Sequence, residues 1–343
     1  MKNKILKVSL ITLFAFSLTG CTKTLKNVDN KIVKNESTGQ TLTANILCKP
    51  QNQDIIDLYN STAEEKKSKL QEQLENNEIT KKTYEKELKS IVDIESLPDC
   101  DDFNIASGGY QGIWNTIFVK PLAWIIIKIG QLLKNYGLAV ILITLIIRFL
   151  LYPITRKTAM QSENMKKARP ELENLEKKYK DKQDQQSMMM KSQEMLSIYK
   201  KYNINPASGC LFSFIQVPLF FAFYEALYRL PVIFEENFLG FELGTSPING
   251  IQVGNYLYAI IIVLVVSVTY FSMKLNATAS MGSEQESQMK TMTNMMVVFI
   301  AIASFTVSTG IALYWITNNS FTIVQNLLVK RGTKNENIIK KRK

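Results

Sequence analysis

The sequence predicts an all-α membrane protein: a five-span helical bundle with a cytoplasmic helical hairpin and an amphipathic helix on the outer surface. Three observations lead there. The 343 residues are 46% hydrophobic with a mean hydropathy near zero, yet that average conceals apolar runs of about twenty residues beside lysine-rich segments, as membrane proteins have. The 41 Lys and Arg against 30 Asp and Glu leave a net charge of +11, but a soluble nucleic-acid binder has no need of repeated apolar runs. Finally, the chemistry of most enzymes is missing. There is no histidine, the commonest general base and metal ligand. The four cysteines, Cys21, Cys48, Cys100 and Cys210, include no C-x-x-C pair, so no metal site is expected. No Walker or Rossmann glycine loop occurs. The expectation is a protein that is not an enzyme, with no catalytic residues.

Residues 1–20 read as an export signal. Lys2, Lys4 and Lys7 form a basic start, and Val8 to Leu18 is an apolar core too short to span comfortably. Leu18-Thr19-Gly20-Cys21 resembles a bacterial lipobox. That resemblance implies cleavage before Cys21, a diacylglycerol on its sulfur and a mature N-terminus on the outer face; the alternative is an uncleaved signal anchor. No other cofactor is expected. Region 21–112 is polar and export-side. Thr62 to Val92 is a charged helical pattern, with Asn76-Asn77 as a turn and Thr80 as an N-cap. Leu70, Leu74, Tyr84, Leu88 and Ile91 are placed to join two antiparallel helices. Cys48 and Cys100 flank this region on the oxidising side, where a disulfide between them is plausible. An accessory domain or spacer is the expectation.

The segment 113–134 is apolar but interrupted by Lys120, Pro121, Lys128 and Lys134. Topology decides it. With Cys21 outside, five later spans leave the C-terminus inside, where the basic tail 330–343 belongs: Lys330, Arg331, Lys334, Lys340, Lys341, Arg342 and Lys343 face one acid, Glu336. Segment 113–134 is therefore read as an amphipathic helix in the outer interface. The five-span core, 135–329, contains spans at about 135–154, 208–229, 255–274, 290–308 and 311–329. Its long basic loop, 156–206, reads as a cytoplasmic hairpin with arms 157–179 and 187–202, with Pro170 able to open a helix and Lys180 to Gln186 as the turn. Met188, Met189, Met190 and Met195 either pack the two arms together or offer an adaptable contact surface. The loop 230–254 carries Glu235, Glu236 and Glu242 with no Lys or Arg, as expected outside.

Polar residues inside the spans carry the functional argument. Arg148 follows three apolar turns, roughly 16 Å along the helix from Gly137. A central guanidinium costs roughly 2.5–3.5 kcal/mol on insertion scales. It is either a working charge or a side chain that snorkels toward Arg156 and Lys157. In span two, Gln216 and Pro218 suit a bent helix with a cross-helix hydrogen bond, and Glu225 and Arg229, four apart, suit a local ion pair. In the last span Trp315, Asn318, Asn319, Thr322, Gln325 and Asn326 share one stripe, while Ile316, Ile323, Val324 and Leu327 turn away. So many amides must face protein or water, which points to a hydrated cavity or to polar packing between helices.

These residues carry a family resemblance. Asn135 to Arg148 with Tyr152-Pro153-Ile154-Thr155 resembles the first conserved span of the YidC/Oxa/Alb membrane insertases. Tyr199 to Pro206, Gly209-Cys210-Leu211 and Gln216-Val217-Pro218-Leu219-Phe220 are similar to the approach to that family's second span, and Leu313-Tyr314-Trp315, Asn318-Asn319 and Ile323-Val324-Gln325 to its last. The likeness covers roughly 113–330, and the lipobox resembles that of Gram-positive members. It implies a hydrophilic groove open to cytoplasm and lipid and closed outside, containing Arg148 with Tyr314 and Trp315 in its wall; Gln216, Asn318, Asn319, Thr322 and Gln325 are candidates to line it from their place in the spans. It implies nascent membrane proteins as substrates, a hairpin that receives them, a tail near the ribosome, and work beside the Sec translocon in the bilayer, as a monomer and without sequence-specific nucleic-acid binding. Phe212 departs from the family by standing where a second proline is frequent. Span three offers only Ser267, Thr269 and Ser272 as polar groups, and 22–112 matches nothing in the family core. The expected function is insertion and chaperoning of membrane proteins at the cell membrane. The alternatives are a small-anion transporter or channel with Arg148 as the binding charge, and a structural lipoprotein whose exported segment is the working part.

Overall fold

The computed structural model describes residues 22–182, 184–205, 208–276 and 283–342, without the side chains of 208–215, 276, 283–290, 292, 293 and 333–342. The expected export signal 1–20, Cys21 where a lipid is expected, and the side chains of Cys210 and Phe212 lie outside the described residues. The chain is mainly helical: α1 (Gln53–Glu75), α2 (Lys81–Leu88), α3 (Lys120–Leu133, preceded by a π-turn), α4 (Tyr136–Tyr179), α5 (Gln185–Lys201), α6 (Ser208–Arg229), α7 (Pro231–Phe234), α8 (Pro247–Gln252), α9 (Tyr258–Asn276), α10 (Ser283–Ala303) and α11 (Thr309–Arg342). A two-stranded hairpin, β1 (Asn237–Phe238) and β2 (Phe241–Glu242), turns through Leu239 and Gly240, both at positive φ. Among the described residues, Asn115–Leu133, the apolar part of α4, and Tyr258–Leu275 are long and apolar enough to cross a membrane.

The chain divides into two compact units. The first contains the chain through Ile143, Val217–Ile261 and Phe305–Tyr314. Within it, Asn52 caps α1 by accepting from Asp54 and Ile55 N–H, and Thr80 caps α2 by accepting from Thr83 N–H. The turn at Asn77 adopts the left-handed conformation that asparagine tolerates. α1 starts nine residues before the expected Thr62. Asn52 supplies an earlier cap, and Ile55, Tyr59, Thr62 and Ala63 form a buried face on its first three turns. Three short segments, bridged at Thr24–Thr43, Lys26–Ile32 and Lys34–Thr41, lie beside it.

Region 22–112 shares a core with the loop that follows α6. Its core of Leu25, Leu42, Ile46, Ile55, Tyr59 and Ile94 includes Phe234 from the loop 230–254. Cys48 and Cys100 form a disulfide with both residues fully buried. Segment 113–134 is helical from Ile113 to Leu133, with Val119, Leu122, Ala123, Ile126 and Ile127 buried and Ile113, Ile117, Phe118 and Leu132 exposed, so apolar side chains lie on the buried and the exposed face alike. Its corner into α4 is tight: a Cβ on Gly130 would collide with the Tyr136 ring.

The second unit contains Thr144–Gln216, Ile262–Ser304 and Trp315–Lys343. Here α4 departs from expectation. It runs for 44 residues through both Pro153 and Pro170, so no helix opens at Pro170. A proline removes one backbone donor, and the helix persists because the turns around Pro170 are held by packing. Met165, Ala168 and Leu172 of α4 meet Tyr199 and Ile204, with Met195, Ile198 and Tyr202 against them. Lys178–Glu194 and Lys201–Glu171 pairs flank that core. Asp184 caps α5 through Ser187 N–H. Met195 joins the packing, whereas Met188, Met189 and Met190 are exposed. On α9 and α10, Val263, Leu264, Phe271, Val298, Phe299 and Ile302 are exposed, an outward apolar surface suited to lipid.

Candidate functional site

The polar residues of the second unit converge. Arg148 is 2% exposed. Its Nε donates to Asn318 Oδ1 at 2.6 Å and its Nη2 to Gln216 Oε1 at 3.0 Å. Two turns on, Thr155 and Gln325 exchange hydrogen bonds through Thr155 Oγ1, at 3.1 and 2.9 Å. Both α4–α11 contacts have a sequence separation of 170. A constant offset means the two helices run in the same direction with matched rise, so a residue on one finds its partner again seven residues later. Trp315 Nε1 donates to Thr269 Oγ1 at 2.8 Å, which ties α11 to α9. These side-chain hydrogen bonds tie α4 to α6 and α11, and α11 to α9.

The structure places the expected site residues as follows. Asn318, Thr322, Gln325 and Asn326 are buried, while Trp315, Asn319 and Gln216 are half-buried. Asn319 and Thr322 bond to backbone carbonyls of their own helix, Trp315 O and Asn318 O. Val324 and Leu327 are exposed, on the face turned away. Tyr314 belongs to the first unit, where it is buried with its ring stacked on Phe223 at 4.3 Å. There it fills a core. Glu225 and Arg229 also belong to the first unit. They lie 3.8 Å apart, but their shortest bonds go elsewhere: Glu225 accepts from Trp114 Nε1 at 2.7 Å, and Arg229 donates to Asn45 O, Asn115 Oδ1 and Gln111 Oε1 at 2.6–2.7 Å.

Sequence reasoning gave Thr155 no role and left span three open. A signal was available: Thr144, Arg148, Thr155 and Ser162 fall within roughly 40° of one another on a 3.6-residue helix, and all four are buried. On α9, Thr269 and Ser272 are buried, three residues apart and so on one face.

Chemically, the cluster presents a permanent cation held by neutral amide oxygens. A guanidinium offers five N–H donors in a fixed fork, and a carboxylate can accept two of them in parallel as a bidentate ion pair, which a single amide oxygen cannot. The arrangement is therefore one from which an incoming carboxylate can displace an amide. Among the described residues no cluster of His, Cys, Asp and Glu could hold a metal ion.

These features define a helical membrane protein with a buried, cation-bearing polar cluster. A family model described as 60Kd inner membrane protein matches residues 128–337. The protein named membrane protein insertase YidC of Oceanobacillus iheyensis is 36% identical over 226 residues, 64% of this chain and 85% of that one. Membrane protein insertase YidC 2 of Bacillus anthracis is 37% identical over 220 residues, covering 64% and 82%. Membrane protein insertase MisCA of Bacillus subtilis is 32% identical over 218 residues, covering 63% and 79%. The chain belongs to this family, the YidC/Oxa/Alb membrane insertases. Residues 22–112 lie outside the family match.

Proposed function

We propose that the chain inserts and helps fold integral membrane proteins through a hydrophilic groove built around Arg148. The observation that carries this reading is the buried guanidinium bridging Asn318 and Gln216, in a chain whose relatives are named membrane protein insertases. A short polar segment of a nascent protein, often acidic, exchanges its water for Arg148 and the amides of α11. That lowers the desolvation cost of carrying it across. The adjoining apolar helix then partitions sideways into lipid, and no covalent bond changes.

The same reading assigns five spans, a C-terminus inside, 22–112 outside, segment 113–134 to the outer interface and the α4–α5 hairpin to the cytoplasm. The matched direction of α4 and α11 supports it, because first and fifth spans run the same way. Cys21 as a lipidated N-terminus, and the ribosome and Sec translocon as partners, complete the proposal. No observation favours the anion-carrier alternative.

The test is photo-crosslinking to a ribosome-bound nascent membrane protein from probes at 144, 269 and 319, with probes at exposed Val263 and Phe299 for comparison. Adducts of the nascent polar segment at the first set are expected. Adducts only at Val263 and Phe299 would exclude the groove.

A further inference from the structure

The match to the family leaves region 22–112 without a role, and the contacts of one short stretch of it supply one. Between Asn45 and Asn52 the chain touches the end of α6 and the following loop again and again. Asn45 O accepts from Arg229 Nε, and Leu47 N–H donates to Arg229 O. The N–H groups of Gln51 and Asn52 donate to the Glu235 carboxylate at 3.1–3.2 Å. Phe234, between those two anchors, is buried in the core of region 22–112. Cys48 lies in the middle of this stretch, disulfide-bonded to Cys100.

The segment that follows Cys100 reaches the same arginine: Gln111 and Asn115 accept from its two terminal nitrogens. Lys49 reinforces the junction by pairing with Asp99 as a parallel bridge and with Glu95 through its ammonium. Arg229 is 2% exposed, and its acceptors come from both sides of the cystine. Further along, Gly39 O accepts from Asn249 Nδ2 and Thr38 O from Thr245 Oγ1, so the grip extends down the loop.

We infer that residues 45–52 and 111–115, joined through the Cys48–Cys100 disulfide, form a redox-closed clasp that holds Arg229 and Glu235 and thereby fixes the loop 230–254. Arg229 and Glu235 act as positioning residues, working through the loop they anchor. The buried cystine is sheltered by the clasp it closes. A reductant reaches it when the clasp opens, and once reduced the two flanking segments lose the tie that brings them to one arginine. Reduction takes two electrons from a thiol or phosphine reductant with two protons and leaves two thiols; a small-molecule disulfide, itself reduced to two thiols, takes them back and restores the tie.

The experiment uses the full chain in lipid nanodiscs, where both faces are accessible. The rate at which a water-soluble phosphine reduces Cys48–Cys100 is followed by maleimide labelling and peptide mass analysis. In Arg229→Gln and Glu235→Ala it should rise about tenfold or more, the factor that corresponds to about 1.4 kcal/mol of lost closure. Wild-type protein reduced after folding is then treated with a glutamate-specific protease. Cleavage at Glu235 and Glu236 should accelerate by a similar factor and return to its starting rate on reoxidation. This second measurement needs no variant to fold. Equal reduction rates in wild type and both variants, or loop cleavage indifferent to the state of the cystine, would overturn the clasp.

Discussion

Arg148 illustrates how much one side chain can organise when its acceptors are fixed. Replacing it by alanine removes a charge and two hydrogen bonds at once, and leaves Asn318 and Gln216 without that donor. Charged hydrogen bonds contribute about 1.5–3 kcal/mol. Insertion of a single-span substrate with an acidic tail should therefore fall by about ten- to a hundredfold in Arg148→Ala. Arg148→Lys keeps the charge but not the planar fork, and should retain part of the activity in the same assay. Insertion at wild-type rates by Arg148→Ala would remove the charge from the mechanism. Thr155→Val tests the neighbouring bond. It strands the Gln325 amide in a buried position, which costs about 1–3 kcal/mol, and should lower the unfolding temperature in detergent without abolishing insertion.

Among the elements, the paired arms of α4 and α5 show which interactions matter. The Glu171 carboxyl is held below its usual range by hydrogen bonds from Lys201 and Tyr202, and that of Glu194 by Lys178 and Tyr179. Their partners Lys178 and Lys201 are held above theirs by the same bonds. Depressed carboxyls stabilise the folded arms above the ordinary carboxylate value of about 4.3, and that stability is lost as pH falls through the depressed values. Raised lysines stabilise below about 10.4, and their share is lost as pH rises through the raised values. Helicity and arm pairing should thus stay flat from about pH 5 to 9, measured by circular dichroism and by the distance between spin labels on the two arms. These charges are solvent-exposed and contribute little; the apolar core dominates. Ala168 is fully buried in it, so Ala168→Leu should separate the arms while Glu171→Gln should not.

The elements also show what a sequence can display. The turn at Asn76-Asn77, the Thr80 cap and the end of α4 at Tyr179 are local events with local signals, and all could be read. The passage of α4 through Pro170 could not, because Met165, Ala168 and Leu172 hold the helix through residues about thirty positions away. The same limit applied to the cluster. The α11 stripe announced itself by six polar residues in a span, whereas Thr155 and Thr269 gain meaning only from Gln325 and Trp315 across the bundle.

On the scale of the whole molecule, region 22–112 proves integral to the first unit. In the chain-entropy view, a disulfide closing a loop with a separation of 52 residues stabilises by about 4 kcal/mol. Cys48→Ser with Cys100→Ser should lower the unfolding temperature accordingly, and thiol reduction of wild type should match it. Deleting 22–112 takes Asn45 and Gln111 from Arg229 and opens the core around Phe234, so loss of folded protein is expected, measured by protease resistance of the remaining spans. A truncated chain as resistant as the full one would return the segment to the status of an appendage. Burial also holds the Glu235 carboxyl above its usual range, against the opposing pull of the Gln51 and Asn52 N–H groups. Its contribution is greatest below about pH 4.3 and declines as pH rises through the elevated value.

The clasp has a consequence in time. Asn45 leaves the ribosome 184 residues ahead of Arg229, and Gly39 leaves 210 residues ahead of Asn249. Whatever local structure the early segment forms, these partners do not yet exist when it emerges. An earlier-made part of the chain thus settles only after a later one, and its completion marks the arrival of α6 and the loop beyond it.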